Sequence, residues 1–179
     1  TFAPAYRERA EMFMRFDKMK LAIQDWKKYL ALNSNVESRY RYANAMFAAK
    51  QYCEVIEEVN TINQAGFRNF YTERMLAGSY AECKSIENGA QIGLDASDRF
   101  FTLVPAANIN FIDYKIRGSL LMKLGKDSLG LLEWERAAGM NENAAKELTL
   151  EIAKSYYKMK KYDITFFYFY NILIYFYFI

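Results

Sequence analysis

Apolar residues recur along this chain at three- and four-residue intervals, the period of a helix with one buried face. Tyr6, Ala10, Phe13 and Met14 form one such stripe, and Leu21, Ala22, Ile23, Trp26, Tyr29 and Leu30 form the next. Within the stripes, a small residue is followed three places later by a large one at Ala10–Phe13, Ala43–Met46, Ala77–Tyr80, Gly118–Leu121 and Ala153–Tyr156. The small residues are 33, 34, 41 and 35 positions apart. A second series of compact residues, Ala22, Val55, Gly93, Gly130 and Thr165, trails the first by 12, 12, 16, 12 and 12. Two interleaved series at this period predict a repeated pair of helices, each pair burying its apolar face only against its neighbours. Compact residues have a mechanical reason to sit there: where two helices cross closely, Ala or Gly leaves room for the opposing side chain.

Polar punctuation separates the stripes. Thr1 to Pro4 starts the first helix, Phe16-Asp17-Lys18-Met19 turns the first pair, and Asn33-Ser34-Asn35 closes it. The second pair runs from Tyr40 to Ala49, turns at Lys50-Gln51-Tyr52 and closes at Gly66; the fourth turns at Gly125-Lys126-Asp127 and closes at Gly139. The fifth pair is expected from Leu148 to Met159, turning at Lys160-Lys161-Tyr162. In the third, the step to Gly93 is four residues too long, which places an insertion at Lys84 to Gly89, with about three further residues near Pro105, Ala106 and Ala107. Insertions in such arrays fall in inter-helix loops.

Composition narrows function more than fold. The 179 residues are 53% hydrophobic and 17% aromatic, enough to build a core, and two prolines with eight glycines favour helix over a loop-rich β protein. Basic and acidic residues, 24 and 21, are mixed along the chain, so no basic stripe supports a nucleic-acid partner. Histidine is absent, which removes the commonest general base and the commonest metal ligand. With no phosphate-cradling glycine loop and no recognisable carboxylate pair, an enzyme is not expected. Cys53 and Cys83 are too few for a secreted disulfide framework. Cys53 opens a second helix and Cys83 closes the following first helix, at one end of the stack, either adjacent or as two unrelated thiols. The chain opens on Thr1, which leaves the compartment open: cytoplasmic or, with a leader removed, periplasmic or secreted.

The motif resembles the tetratricopeptide repeat. Ala10, Phe13, Met19, Ala22 and Trp26 match it in the first unit, and Gly118, Leu121, Gly130, Trp134 and Ala137 in the fourth. Pro105 stands where the motif closes the third unit, and Ala153 to Tyr162 matches its first helix and turn. Tyr6 and Tyr114 stand where the ideal motif has Trp. The resemblance implies an all-α fold, a right-handed α-solenoid of about five helix-turn-helix repeats forming one domain over residues 1–179. Approximate repeat bounds are 3–35, 36–69, 70–107, 108–143 and 144–179, the last atypical. It implies a non-catalytic scaffold that binds a peptide or protein surface in a concave groove, without cofactor or metal. A repeat region that targets or regulates a larger enzyme, or a cell-envelope assembly factor, is the alternative.

If the register holds, the first helices present Arg7, Glu11 and Arg15, then Tyr40, Arg41, Asn44 and Phe47, then Arg74, to the groove. Lys115 and Lys123, with Lys154 and Tyr157, continue the series. Met75, Gly78, Met122, Glu151 and Lys158 fall on the same face. Arg and Tyr often dominate interface energetics, so the face suits a segment carrying acidic and apolar residues. Tetratricopeptide domains that clamp chaperone tails need polar or basic residues where this chain has Met75, Ile112 and Ile116, which disfavours that specialisation.

Residues 164–179 contain no charge, and nine of the sixteen are aromatic. As the last second helix, this stretch should turn Asp163, Ile164, Phe167, Tyr168, Tyr170 and Asn171 outward, whereas a terminal repeat needs a polar outer face. Three readings stand: a homodimer or inter-domain contact through Phe166–Ile179, a non-native end from a frameshift, and a membrane span. The last is disfavoured because about 20 apolar residues are needed.

Overall fold

The computed structural model describes residues 2–177, with side chains through Tyr170. Ten α-helices follow one another: α1 (Ala3–Arg15), α2 (Met19–Leu32), α3 (Val36–Ala48), α4 (Tyr52–Gln64), α5 (Phe70–Glu82), α6 (Gly89–Leu103), α7 (Phe111–Lys123), α8 (Asp127–Ala138), α9 (Glu142–Lys158) and α10 (Tyr162–Tyr177). A short 3-10 turn at Ala106–Asn108 precedes α7. No strand occurs among the described residues. Successive helices pair as five hairpins, and the chain divides into two compact units, Thr1–Leu103 with three hairpins and Val104–Ile179 with two.

Each first helix after the opening one starts on an asparagine. The side chains of Asn35, Asn69, Asn110 and Asn141 accept hydrogen bonds from backbone N–H groups at 2.9–3.0 Å, those of Ser38, Thr72, Ile112 and Ala144. An Asn here satisfies helix-end donors that would otherwise lack partners. Asn69 and Asn110 complete capping boxes with Thr72 and Asp113. Asn141 begins α9 six residues earlier than the apolar pattern at Leu148 suggests, because α9 runs to 17 residues.

Four hairpins turn by the same backbone device. Asp17, Lys50, Gly125 and Lys160 take positive φ, between 55° and 70°, seven positions after the small residue of their repeat. The N–H groups of Asp17, Lys50, Gly125 and Lys160 donate to the carbonyls of Met14, Phe47, Met122 and Tyr157, and those of the next residues donate to Phe13, Met46, Leu121 and Tyr156. This is the Schellman arrangement, which satisfies orphan carbonyls at a helix end. The acceptors in the second set are the large residues of the small-x-x-large pattern. Their side chains pack between the helices while their carbonyls anchor the turn.

The third hairpin turns differently, where the sequence places its insertion. Cys83 ends α5 in an extended conformation, and the loop runs through Lys84–Asn88 before α6. Cys83 is bonded to Cys53 at the start of α4, with Cα atoms 5.3 Å apart, so the two cysteines are adjacent and joined rather than unrelated thiols. Ser85 Oγ lies 3.2 Å from Cys83 Sγ and 3.5 Å from Cys53 Sγ, holding the loop over the bond.

The compact residues sit where the pattern requires. Ala10, Ala22, Ala43, Val55 and Ala153 are wholly buried. Gly118 and Gly130 face each other across α7 and α8. A Cβ on Gly118 would collide with the Trp134 ring and lie 2.8 Å from the Gly130 carbonyl oxygen, so only glycine permits this crossing. Around it, Leu131, Ala137, Leu148 and Ile152 form the core of the second unit, flanked by Tyr114, Trp134, Tyr156 and Tyr168.

A polar clasp holds three hairpins at one register. Lys28 lies over the Tyr6 ring at 5.5 Å, Arg99 pairs with the fully buried Glu73 at 3.0 Å, and Arg136 lies over the Tyr114 ring at 5.4 Å. Every pair joins the residue four before the small position to the residue six after the compact one. Arg68 also approaches Glu73, at 3.1 Å, so that two guanidinium groups compensate this buried carboxylate. Arg9 makes a two-pronged bond to the buried Asp25 at 2.5 and 2.8 Å. That bond holds the Asp25 carboxyl below the usual carboxylate range, although burial alone would raise it.

Candidate functional site

The face formed by the first helices is described within each unit. In the first, α1 carries Arg7, Glu11 and Arg15, α3 carries Tyr40, Arg41, Asn44 and Phe47, and α5 carries Arg74. Arg7, Arg15, Arg41 and Asn44 are exposed, and Glu11, Tyr40, Phe47 and Arg74 half-buried. Met75 and Gly78, placed on this face by the helical register, are buried instead, because α5 packs on both sides. Arg74 lies with its guanidinium 4.7 Å from the centre of the Phe100 ring on α6, an arrangement that orders the side chain. Tyr40 packs against Phe67, and burial pushes its phenol up.

Charges on this face are partly answered from within. Arg7 pairs with Glu8 at 2.7 Å and Arg41 with Glu37 at 3.1 Å. In the second unit, Lys115 on α7 pairs with Glu147 on α9, and Lys154 pairs with Glu151 at 2.7 Å. At least four basic candidates therefore carry a carboxylate partner, and the face is nearer neutral than a count of lysines and arginines suggests. Exposed pairs of this kind are worth little to stability.

The second unit holds a defined pocket between α7, α8 and α9, with a volume of about 350 Å³. Met122, Trp134 and Met159 supply its apolar lining, Ser155 a hydroxyl, and Asp127, Glu151 and Lys158 its charged groups. Trp134 is fixed at two points: its indole N–H donates to the Lys115 carbonyl at 3.1 Å, and its ring edge rests on Gly118. The close crossing that needs two glycines is what lets the indole lie at this depth. Two methionines beside a rigid indole make a surface that adapts to varied apolar side chains.

The sequence register placed Met122, Glu151 and Lys158 on this face and recognised Trp134 as a motif residue, but it did not bring them together. The sequence pattern marks Asp127 and Met159 only as turn and helix-end residues, and Ser155 only as part of the repeat motif. The pocket draws on a second helix as well as two first helices, and a reading restricted to first-helix positions misses that contribution. Lys115, Lys123, Lys154 and Tyr157 flank the pocket in sequence without lining it. Arg117, just before Gly118, is half-buried, and Arg9, at the same position before Ala10, is bonded to Asp25.

In the same unit, Tyr168 corrects its expected placement, packing on the core cluster that Trp134 also flanks. It turns inward, its ring stacked on Tyr156 at 5.8 Å, and both phenols donate to Glu135 Oε1 at 2.7 Å. Burial and the bond to Glu135 push the Tyr156 phenol up to about 12 and raise that of Tyr168 as well. Ile164, Phe167 and Tyr170 do face outward, joined by Phe166 and Phe169. Asn171 and the remainder of the Phe166–Ile179 stretch lie outside the described side chains. Among the described residues, no helix is long and apolar enough to cross a membrane. No cluster of acidic or cysteine side chains that could hold a metal occurs there.

No protein-family model matches the chain, and no curated protein matches it. Solved structures do. A MamA fragment from Desulfovibrio magneticus RS-1, running from residue 41 to its end, superposes with a TM-score of 0.77 at 12% identity, over 96% of this chain and 93% of that one. Another MamA structure gives 0.71 at 15% identity, covering 93% and 87%. YrrB, described as a TPR protein with an unusual peptide-binding site, gives 0.64 at 16% identity, covering 89% and 78%. With five helical hairpins, small residues at their crossings and these structural counterparts, the chain has the tetratricopeptide-repeat fold.

Proposed function

We propose that this chain is a non-catalytic scaffold that holds a peptide or protein segment against its first-helix face, with the pocket of the second unit as the anchoring point. The observation that carries the reading is the indole of Trp134, fixed on Gly118 and flanked by Met122 and Met159 in a pocket of about 350 Å³. That volume takes one large apolar side chain, and aromatic anchors in such pockets supply much of an interface's energy. Lys158 on the lining favours an acidic neighbour in the bound segment, while the carboxylates of Asp127 and Glu151 exclude a strongly acidic run. The peptide-binding site described for YrrB, which shares the fold, supports the class of partner.

The test is selection from a displayed peptide library, followed by titration read through the change in tryptophan fluorescence, with the wholly buried Trp26 of the first unit as a constant background. Peptides with an apolar anchor should shift the emission of the wild-type chain and bind Ser155→Arg, which places a long charged side chain in the pocket, at least tenfold more weakly. Equal affinity for both would end the pocket reading. Charge reversal at Arg41 and Arg74 addresses the first-helix face of the first unit, and at Lys115 that of the second; unchanged affinity in both would confine binding to the pocket.

A second partner class follows from α10. Phe166, Phe167 and Tyr170 are 75%, 62% and 65% exposed. We propose a second copy of the chain as the partner of α10, since several exposed aromatic side chains gathered on one helix call for cover.

A further inference from the structure

The repeat register specifies how that second copy would sit. Counting from the compact residue of each second helix, the next residue is Ile23, Ile56 and Leu131 in α2, α4 and α8, exposed to only 5%, 3% and 2%. Each of those helices packs against the first helix that follows it, α3, α5 and α9. The same position in α10 is Phe166, at 75% exposure. Four places after the compact residue, Trp26 and Val59 are wholly buried and Trp134 is half-buried, whereas Phe169 is 41% exposed. The exposed face of α10 matches in register the surface that each of those three second helices uses to receive a first helix.

The complementary surface is open at α1. First helices meet the preceding hairpin through residues five and one before the small position and two after it. In α3 these are Ser38, Tyr42 and Ala45, and in α5 Thr72, Leu76 and Ser79, all buried. In α1 they are Ala5, Arg9 and Met12, all exposed, with Phe2 and Phe16 beside them at 72% and 69%. The Arg9 charge is already answered by Asp25, so the stripe offers its stem alongside an alanine and a methionine. The α10 face from Ile164 to Tyr170 carries no charge. Neither surface opposes the other electrostatically.

We infer that copies of this chain associate head to tail, α1 of one docking on the Phe166–Phe169 face of α10 in the next in the manner of an internal repeat junction. This rests on the proposal that a second copy covers α10, and it adds which surface of that copy does so. A contact between two different surfaces leaves one of each free, so assembly proceeds beyond the dimer or closes into a ring.

The experiment is analytical ultracentrifugation of the full chain and of Phe166→Glu and Met12→Glu, with circular dichroism checking that each variant keeps the wild-type helix content. Both substituted residues are exposed, so folding should persist. The wild type should show mass rising with concentration past the dimer. Each variant alone should stay monomeric. Mixing the two should give a heterodimer, because the Phe166→Glu chain keeps its α1 surface and the Met12→Glu chain keeps its α10 surface. If Phe166→Glu stays monomeric while Met12→Glu still dimerises, α10 pairs with itself; the second-copy reading survives and the head-to-tail inference falls. A wild type that remains monomeric across the micromolar range overturns both.

Discussion

The third hairpin and the other four close their turns by different means. In the first, second, fourth and fifth, one residue in the left-handed region lets the backbone cap its own helix, and the turn needs nothing from its neighbours. In the third, the chain leaves α5 extended, and a covalent bond from Cys83 to Cys53 ties the turn to the preceding hairpin. Turns of the first kind are local, so each hairpin carries its own closure. The second kind makes one hairpin depend on another, and it occurs where an insertion has displaced the local device. An array can thus absorb a loop insertion if a long-range tie replaces what the insertion removes.

The largest expected effect separates these mechanisms. Replacing both cysteines, Cys53→Ser with Cys83→Ser, should cost about 3–4 kcal/mol, the chain-entropy value for a closed loop of this size. Urea denaturation of the oxidised wild type against the variant would measure it. A loss below about 1 kcal/mol would mean that the loop through Ser85 closes the third hairpin without the bond.

A reciprocal pair addresses the local turns. Gly125→Val, at φ +70°, should destabilise by about 1–2 kcal/mol, while Lys50→Gly, at φ +61°, should stabilise by about 0.5–1 kcal/mol. Thermal melts of the two variants should move in opposite directions. Movement in the same direction would show that the turn conformation is not what limits these hairpins.

The smallest effect concerns the fifth hairpin, which adds a side-chain tie to its local turn. Tyr168→Phe removes one of the two phenols bonded to Glu135 and should cost about 1 kcal/mol. Tyr156 and Tyr168 both hold their protons more tightly folded than unfolded, so their contribution is complete below the ordinary phenol value of 10. It is lost as pH climbs through the raised Tyr156 value of about 12. Absorbance at the tyrosinate band should show a late-titrating fraction that shrinks in the Tyr168→Phe variant.

Much of this architecture was legible in the chain. The small residues predicted the crossings because a helix crossing limits side-chain volume, and volume is read directly from residue type. The hairpin turns were located but not explained: Gly125 signals a positive φ, whereas Asp17, Lys50 and Lys160 do not, since nothing in their side chains requires that conformation. The caps offered a signal that went unused. Asn35, Asn69 and Asn110 each stand eight residues before the small residue of their repeat, and Asn141 stands twelve before because α9 is longer. The disulfide was open in the sequence because a separation of 30 residues fixes no distance until the start of α4 and the end of α5 are placed. Tyr168 was misplaced because its register position faces outward in an ideal repeat, and a hydrogen bond to Glu135 outweighs that preference. The pocket was the least legible feature, since its walls come from three helices whose facing positions follow separate counts.

The bond between Cys53 and Cys83 also bears on how the chain yields under tension. Pulled from its two ends, an oxidised molecule cannot pay out the 30 residues enclosed between the two sulfurs. Its contour when fully drawn is shorter than that of the reduced molecule by on the order of 100 Å, at about 3.3–3.6 Å per extended residue. In single-molecule traces, a reducing agent would lengthen the stretched chain by that amount, while hairpins one, four and five would give way with unchanged step lengths.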